Sequence, residues 1–336
     1  MNILVTGGAG YIGSIVAQEL LRVGHGVVVY DNLSHGHRSA VPAGADFVQG
    51  DIADQWMLDR VLGKSFDAVM HFAGLIEAGE SMKMPELYFR SNSTNTLTLL
   101  ERMLAHGIKR FVFSSTAALY GNPERIPISE DDPLRPTNVY GESKLLVEQM
   151  LTWLNRIHGL RYASLRYFNA AGATEELGEA HQPESHLIPL VLQVAMGKRD
   201  FISIYGTDYP TPDGSCIRDY IHVSDLATAH ILALEALESQ TRLVYNLGNG
   251  RGFSVREVIQ AARNITGHPI PAKDSPRRPG DPAILVASSE RIQRELHWKP
   301  RNPELDRIIQ SAWGWAQKQP QRTSDPKLVK ATFLSA

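Results

Sequence analysis

Residues 3–13 read Ile3-Leu4-Val5-Thr6-Gly7-Gly8-Ala9-Gly10-Tyr11-Ile12-Gly13. A short apolar run of strand character meets glycines at three-residue intervals, and a segment of helical period opens at Tyr11. Glycine in such a turn lets the backbone approach a pyrophosphate and lets the helix pack closely on the strand, with its positive N-terminal end toward the phosphates. The spacing is G-x-x-G-x-x-G, not the G-x-G-x-x-G of many dehydrogenases. Three glycines in a loop are equally compatible with plain turn chemistry. The order strand, glycine turn, helix is what points to a dinucleotide.

Outward from this turn, apolar runs at 27–30, 47–49, 68–72, 110–114 and 162–167 alternate with helix-period segments at 54–62, 85–106 and 139–158. Strands that take turns with helices require crossover connections, so the pattern predicts an α/β fold of Rossmann type, a doubly wound parallel sheet covered on both faces. After about Asn169 the pattern becomes mixed, with helices over 187–197, 224–238, 254–266 and 303–318 and short strands at 201–205 and 244–247. This predicts a smaller mixed α/β C-terminal lobe. The expected division is a cofactor domain at 1–170 and a mainly substrate-binding part at 171–336, with some segments returning to the first sheet. Proline-rich loops at 205–214 and 268–282, beside Arg218, Arg278 and Asp281, are expected to rim a pocket at the carboxyl ends of the strands.

The totals set bounds on partners. A chain of 336 residues with 43% hydrophobic residues has ample material for a large core. Lys plus Arg number 34 against 36 Asp plus Glu, so no charge excess suggests nucleic acid or a membrane surface. Cys216 is the one cysteine, which excludes an internal disulfide and fits a reducing, cytoplasmic setting. No metal ligands are assigned.

Asp31 ends the second strand run, 18 residues beyond Gly13, where a carboxylate accepts hydrogen bonds from an adenosine ribose and repels a 2′-phosphate. NAD is therefore favoured over NADP, although Asp31 followed by Asn32 also reads as a turn. Asp51 and Ile52 follow the third strand, and Phe72-Ala73-Gly74 supplies small residues at the sheet edge; both are candidate cofactor contacts. Tyr140 and Lys144 stand one helical turn apart, so phenol and ammonium share a face. A fixed positive charge favours a phenolate, which is expected to bring the Tyr140 pKa down toward the working pH.

Thr6 to Gly13, Phe113-Ser114-Ser115-Thr116 and Tyr140 with Lys144 together resemble the extended short-chain dehydrogenase/reductase family. Leu165-Arg166-Tyr167-Phe168-Asn169, Arg218-Asp219-Tyr220-Ile221-His222-Val223, Tyr245-Asn246-Leu247-Gly248 and Arg277-Arg278-Pro279-Gly280-Asp281 narrow the resemblance to its UDP-hexose 4-epimerase branch, in order from about residue 1 to 318. The resemblance implies NAD as cofactor and Tyr140, Lys144 and Thr116 as catalytic residues. It adds Tyr11, Ile12, Asn32, Asn92, Ser114 and Tyr167 to the cofactor contacts. For the UDP-hexose it implies Thr116, Tyr140, Asn169, His186, Leu187, Tyr205, Arg218, Arg278 and Asp281. Arginine forks suit phosphate oxygens and an aromatic ring suits a base. Read from the residues alone, Arg218 with Asp219 is equally a local ion pair, Tyr205 a core edge and His186 an exposed loop residue.

Two positions bear on which reaction is expected. Sister dehydratases and decarboxylases carry an acid two places after the catalytic Thr or Ser, where this chain has Ala118, which cannot transfer a proton. Leu285 matches a position whose bulk accompanies plain hexoses in the family. The alternatives are a 4-epimerase of UDP-N-acetylglucosamine or a UDP-pentose, or a non-catalytic NAD-binding regulator. In relatives the helices at 85–106 and 139–158 pair between subunits, which implies a homodimer, although their apolar faces could equally cover the parent sheet.

Overall fold

Ile3, Leu4 and Val5 are all fully buried, yet they face two ways. Ile3 and Val5 join a core with Ile15, Leu20, Leu226 and Leu234, whereas Leu4 joins Leu58, Leu99 and Val147 on the opposite face. A strand apolar on both sides belongs in a parallel sheet sandwiched by helices. The computed structural model has this arrangement; it describes residues 1–278 and 281–318. Pro279 and Gly280 of the 277–281 motif, and residues 319–336 of the C-terminal lobe, lie outside the described residues.

Among the described residues the strands are β1 (Asn2–Thr6), β2 (Gly26–Asp31), β3 (Asp46–Gln49), β4 (Ala68–His71), β5 (Arg110–Thr116), β6 (Arg161–Tyr167), β7 (Asn169–Ala171), β8 (Ile202–Tyr205), β9 (Ile217–His222), β10 (Arg242–Leu247), β11 (Gly252–Ser254), β12 (Ala272–Ser275) and β13 (Ile284–Leu285). Seven of them form one sheet in the order β10-β6-β5-β4-β1-β2-β3, every neighbour parallel. The order reverses direction between β1 and β4. At such a switch point the flanking helices leave a crevice outside the carboxyl ends of the strands.

The sequence reading put the segments at 224–238 and 244–247 with the mixed C-terminal pattern; the structure sets β10 beside β6 in the large sheet. The preceding helix, Val223–Ala236, is buried on most of its surface and packs in the same core as Tyr11–Arg22. An apolar circumference of that kind needs cover on several sides, which the large sheet and its first helix provide.

A second core holds the smaller lobe. Helices Leu187–Ala195, Val255–Thr266 and Leu305–Lys318 bury Ile188, Val191, Val258, Ile259, Ile308 and Ile309 against Ile202, Ile204 and Tyr220 of β8 and β9. β9 is the hinge of this lobe, pairing with β7, β11 and β13. The segment expected as one helix over 85–106 is helix Pro85–Tyr88, a wider π turn at Phe89–Thr94 and helix Asn95–Ala105. Asn92 and Ser93 lie in the wide turn and bond Ser143 of the neighbouring helix Val139–His158. Side-chain bonds of this sort draw helical backbone out of its regular ladder, and single π turns recur at functional sites. Among the described residues, no helix is long and apolar enough to cross a membrane.

Candidate active site

The glycine turn wraps the end of β1. Gly7 has φ +72°, and a Cβ there would stand 2.4 Å from the Ala73 nitrogen; a Cβ on Gly13 would stand 2.3 Å from the Gly7 carbonyl oxygen. These two glycines let turn, helix and neighbouring strand touch. Gly10 differs: a Cβ there would meet only the Gly7 oxygen, at 3.3 Å, and Gly10 lines a cleft of about 350 Å³. The space it keeps open faces the start of helix Tyr11–Arg22, which has no side-chain cap. Uncapped helix N-terminal N–H groups beside an open cradle suit a pyrophosphate.

The cleft runs along the carboxyl ends of β1, β2, β4, β5 and β6. It is lined by Gly7, Gly10, Tyr11, Ile12, Gly13, Asp31, Asn32, Asp51, Ile52, Phe72, Ala73, Gly74, Ser114, Thr116, Tyr140, Lys144, Tyr167, Asn169 and His186. Asp31 uses one carboxylate oxygen to accept from the Ala9 N–H, at 3.0 Å, and the other to accept from Leu33, at 2.8 Å. It is at once a turn former and part of the wall. Asn32 donates to Asp51, which ties the next two edges together.

At the other end, helix Val139–His158 starts on the Asn138 cap and brings Tyr140 to β5. Lys144 is buried one turn on, and its ammonium donates to the Ser114 carbonyl at 3.1 Å and sits 5.0 Å over the Phe113 ring. Ser114 and Tyr167 bond through their hydroxyls. Thr116 accepts from the Ala118 N–H at 3.1 Å. Behind the pair, Glu148 receives both forks of the buried Arg166, at 3.0 and 2.6 Å, and the Ser115 hydroxyl at 2.6 Å. This buried network locks the helix to β5 and β6, next to the positions that face the cleft.

The electrostatics of the pair run against the sequence reading. Burial pushes the Tyr140 phenol above its ordinary range, a hydrogen bond with Thr116 pulls it down, and the Glu77 carboxylate pushes it up again. Lys144 is itself lowered to about 8, because its ammonium is removed from water. Spacing alone suggested a charged lysine that acidifies the phenol. In the structure desolvation dominates both groups.

A second group of expected residues lies off this cleft, on the smaller lobe. Arg218 of β9 donates to Asp281 at 2.8 Å, not to its neighbour Asp219. Asp219 is fully buried and accepts from the Asn249, Gly250 and Ala287 N–H groups. The Arg278 guanidinium stands 4.0 Å over the Tyr205 ring, which is 38% exposed. Tyr205, Arg218, Arg278 and Asp281 are therefore grouped apart from the glycine cleft, and Leu187, which opens helix Leu187–Ala195 against the second core, does not line the cleft either. Asn169 joins the two regions: it lines the cleft and its amide donates to the Asp219 carbonyl at 2.9 Å.

The model of the NAD-dependent epimerase/dehydratase family matches residues 3–248 of the chain. The chain belongs to this family. A UDP-glucose 4-epimerase of Halalkalibacterium halodurans is 54% identical over 324 residues, 95% of this chain and 97% of that one. A crystal structure of UDP-glucose 4-epimerase from Brucella ovis in complex with NAD superposes with a TM-score of 0.90 at 46% identity, covering 93% of this chain and 98% of that one. One from Bifidobacterium longum, in complex with NAD⁺ and UDP, has a TM-score of 0.91 at 39% identity, covering 95% and 99%.

Within this epimerase/dehydratase fold one expected cofactor contact is displaced. Asn92 does not line the cleft; its amide exchanges two hydrogen bonds with the Leu75 backbone, at 2.8 and 2.9 Å, and so holds the 73–76 wall from behind. Other lining residues were not foreseen: Ile76, Ser91 and Asn95 on one side, His35, Glu179 and His181 on the other. The last two belong to a Glu-x-His pattern that recurs at Glu184 and His186, a repeat visible in the sequence once it is sought. There burial and the Glu184 hydrogen bond act oppositely on His186, and the carboxylates prevail, raising it to about 9.

Proposed function

We infer that the chain interconverts UDP-galactose and UDP-glucose, using NAD to pass through a 4-keto sugar. The observation that carries this reading is the meeting of the glycine cradle with Thr116, Tyr140 and Lys144 in one cleft, in a chain about half identical along nearly its whole length to a UDP-glucose 4-epimerase. The open side of Gly10, the uncapped helix start and Asp31 fit a dinucleotide: its pyrophosphate at the helix N-terminus, its adenosine ribose toward Asp31.

Bound there, NAD would supply a reversible hydride acceptor for the sugar C4 and a positive ring charge beside the phenol. Tyr140 Oη takes the proton of the 4-hydroxyl and gives it back after the keto sugar has turned over. Thr116 lines the cleft with Tyr140, and its Oγ1 holds the same substrate oxygen. Lys144, fixed on the Ser114 carbonyl, orients the cofactor ribose. Ala118 offers no acid for dehydration or decarboxylation, so the chemistry stays at one carbon.

Turning the sugar requires a firm grip on the nucleotide and a loose one on the hexose. Arg218 and Arg278 take the diphosphate, Tyr205 stacks the base, Asp281 holds the ribose, and Asn169, His186 and Leu187 line the passage between the two lobes. Residues 1–170 thus carry mainly cofactor contacts and 171–336 mainly substrate contacts. Helix Val139–His158 presents Trp153 and Ile157 at 59 and 68% exposure, large apolar surface that a second copy of the chain covers in a cytoplasmic homodimer.

The test is incubation of purified protein with UDP-galactose, UDP-N-acetylgalactosamine and UDP-arabinose in separate tubes, without added NAD, with products resolved by NMR. UDP-glucose should form in the first tube. A protein that converts only one of the other sugars is an epimerase of that sugar instead, and one that converts none even with NAD supplied is not an epimerase.

A further inference from the structure

Residues 179–186 read Glu179-Ala180-His181-Gln182-Pro183-Glu184-Ser185-His186, and the segment is tied to both edges of the cofactor cleft. At one end the Ala180 carbonyl accepts from His37 Nε2 at 3.1 Å. His37 lies in the loop after β2, on the Asp31 side, and its own backbone N–H donates to the Ala9 carbonyl of the glycine turn at 2.9 Å. At the other end Ser185 Oγ donates to Glu77 Oε1 at 2.7 Å. Glu77 follows the wall formed by residues 72–76, on the catalytic side, where its carboxylate is felt by Tyr140. Between these anchors Glu179, His181 and His186 line the cleft.

The segment is braced from within and from behind. Glu179 Oε1 lies 2.5 Å from His181 Nδ1 and Glu184 Oε1 lies 2.8 Å from His186 Nδ1, so each Glu-x-His unit closes on itself. The two imidazole rings stand 5.9 Å apart. From the smaller lobe Trp315 Nε1 donates to the Glu179 carbonyl at 3.2 Å, and Gly178 packs so closely that a Cβ there would stand 2.4 Å from the indole. A compact loop packed by its own side chains moves as a unit, and its opening is governed by the few bonds that tie it down. Here the Ser185 bond is exposed and the His37 bond half-buried, so water can replace both.

We propose that residues 179–186 form a strap over the bound dinucleotide, which leaves the cleft only when the strap lets go of His37 and Glu77. The proposal rests on the reading of the cleft as an NAD site. One anchor stands beside Asp31, where the adenosine ribose is expected, and the other beside Tyr140, where the chemistry occurs. A segment fastened at both has to lift before a molecule of that length can be withdrawn. Turnover returns the hydride and regenerates NAD, so only the sugar nucleotide has to pass in and out. The strap should therefore set the rate of cofactor loss and leave kcat alone.

The experiment loads the full-length chain with NAD and removes free cofactor by gel filtration. Released NAD is then trapped by alcohol dehydrogenase with ethanol and read as NADH absorbance. Ser185→Ala removes one anchor at an exposed position and should speed release roughly 5-fold, and His37→Phe combined with it roughly 10- to 100-fold. Ser185→Thr keeps the hydroxyl and should release NAD at the wild-type rate. With saturating NAD, kcat of Ser185→Ala for UDP-galactose should equal that of wild type. Far-UV circular dichroism checks folding, and if the double variant does not fold the two Ser185 variants decide. Release from Ser185→Ala at the wild-type rate, or from Ser185→Thr as fast as from Ser185→Ala, would overturn the strap while NAD binding stands. A fall in kcat for Ser185→Ala would overturn it too, since the segment would then move in every turnover. A chain that releases NAD as expected yet leaves UDP-galactose unconverted keeps the strap and loses the epimerase reading, and one that holds no NAD loses both.

Discussion

The glycine cleft and the arginine cluster of the smaller lobe are built by different means. The cleft is made of backbone: strand ends, a glycine turn whose atoms are in contact, and a helix start, all held by the large core. The cluster is made of side chains, Arg218 on Asp281 and Arg278 on Tyr205, reaching across loops. A backbone site is shaped before its ligand arrives and tolerates little change. A side-chain site can open one ion pair and form another, which suits a group that must release its ligand in every turnover. Chemistry should therefore fail abruptly when the first region is altered, and binding should fail gradually when the second is.

Tyr140→Phe gives the largest expected effect. Removing the proton carrier should lower kcat by about 10²–10⁴-fold, while UDP binding, followed by calorimetry, stays near wild type because the cluster is untouched. A kcat within a few-fold of wild type would mean that another group moves the proton.

Two glycine substitutions divide the first region internally. Gly7→Ala meets both a left-handed φ and a backbone atom at 2.4 Å, so it should destabilise the fold by about 2–4 kcal/mol in denaturant melts. Gly10→Ala keeps an ordinary φ and presses on the Gly7 oxygen only at 3.3 Å, so it should cost about 1 kcal/mol or less, yet lose NAD readily on gel filtration. Equal melts for the two variants would break the distinction between packing glycine and cradle glycine.

In the second region, Arg278→Ala should raise KM for UDP-galactose by roughly 10- to 100-fold through loss of charge-assisted hydrogen bonds, with kcat little changed. A fall in kcat without a rise in KM would place Arg278 at the chemistry and erase the contrast between the regions.

The smallest effect expected at neutral pH concerns Lys144. Its folded pKa of about 8 lies below the ordinary 10.5, so the unfolded chain binds this proton more tightly than the folded one. Stability of the cofactor-free protein should accordingly rise with pH between about 8 and 10.5, by up to about 3 kcal/mol from this group. Lys144→Met should lack that rise when urea midpoints are compared across the same range. Parallel pH profiles for the two proteins would show that the lysine keeps an ordinary pKa in the fold.

What was legible in the sequence was local. The strand with its glycine turn, Asp31 at the end of β2, and Tyr140 one turn before Lys144 are patterns of short spacing, and the structure brings all of them to one cleft. What was not legible depended on depth or distance. Burial sets the pKa values of Tyr140 and Lys144, and spacing carries no information about burial. Arg218 finds Asp281 across 63 positions and passes over adjacent Asp219, which is occupied by backbone N–H groups. The resemblance offered Asn92 as a cofactor contact, but from its π turn its amide bonds the Leu75 backbone. The two Glu-x-His units read as loop until folding set them against each other.

The central claim is that hydrogen leaves and rejoins C4 as hydride within one cleft, while only the hydroxyl proton passes through Tyr140. UDP-galactose deuterated at C4 tests it directly, incubated in ordinary water without added NAD and examined by NMR and mass spectrometry. The account predicts UDP-glucose that keeps its deuterium at C4. Loss of that deuterium to solvent would contradict it, since only a carbanion or an exchangeable intermediate would release the label.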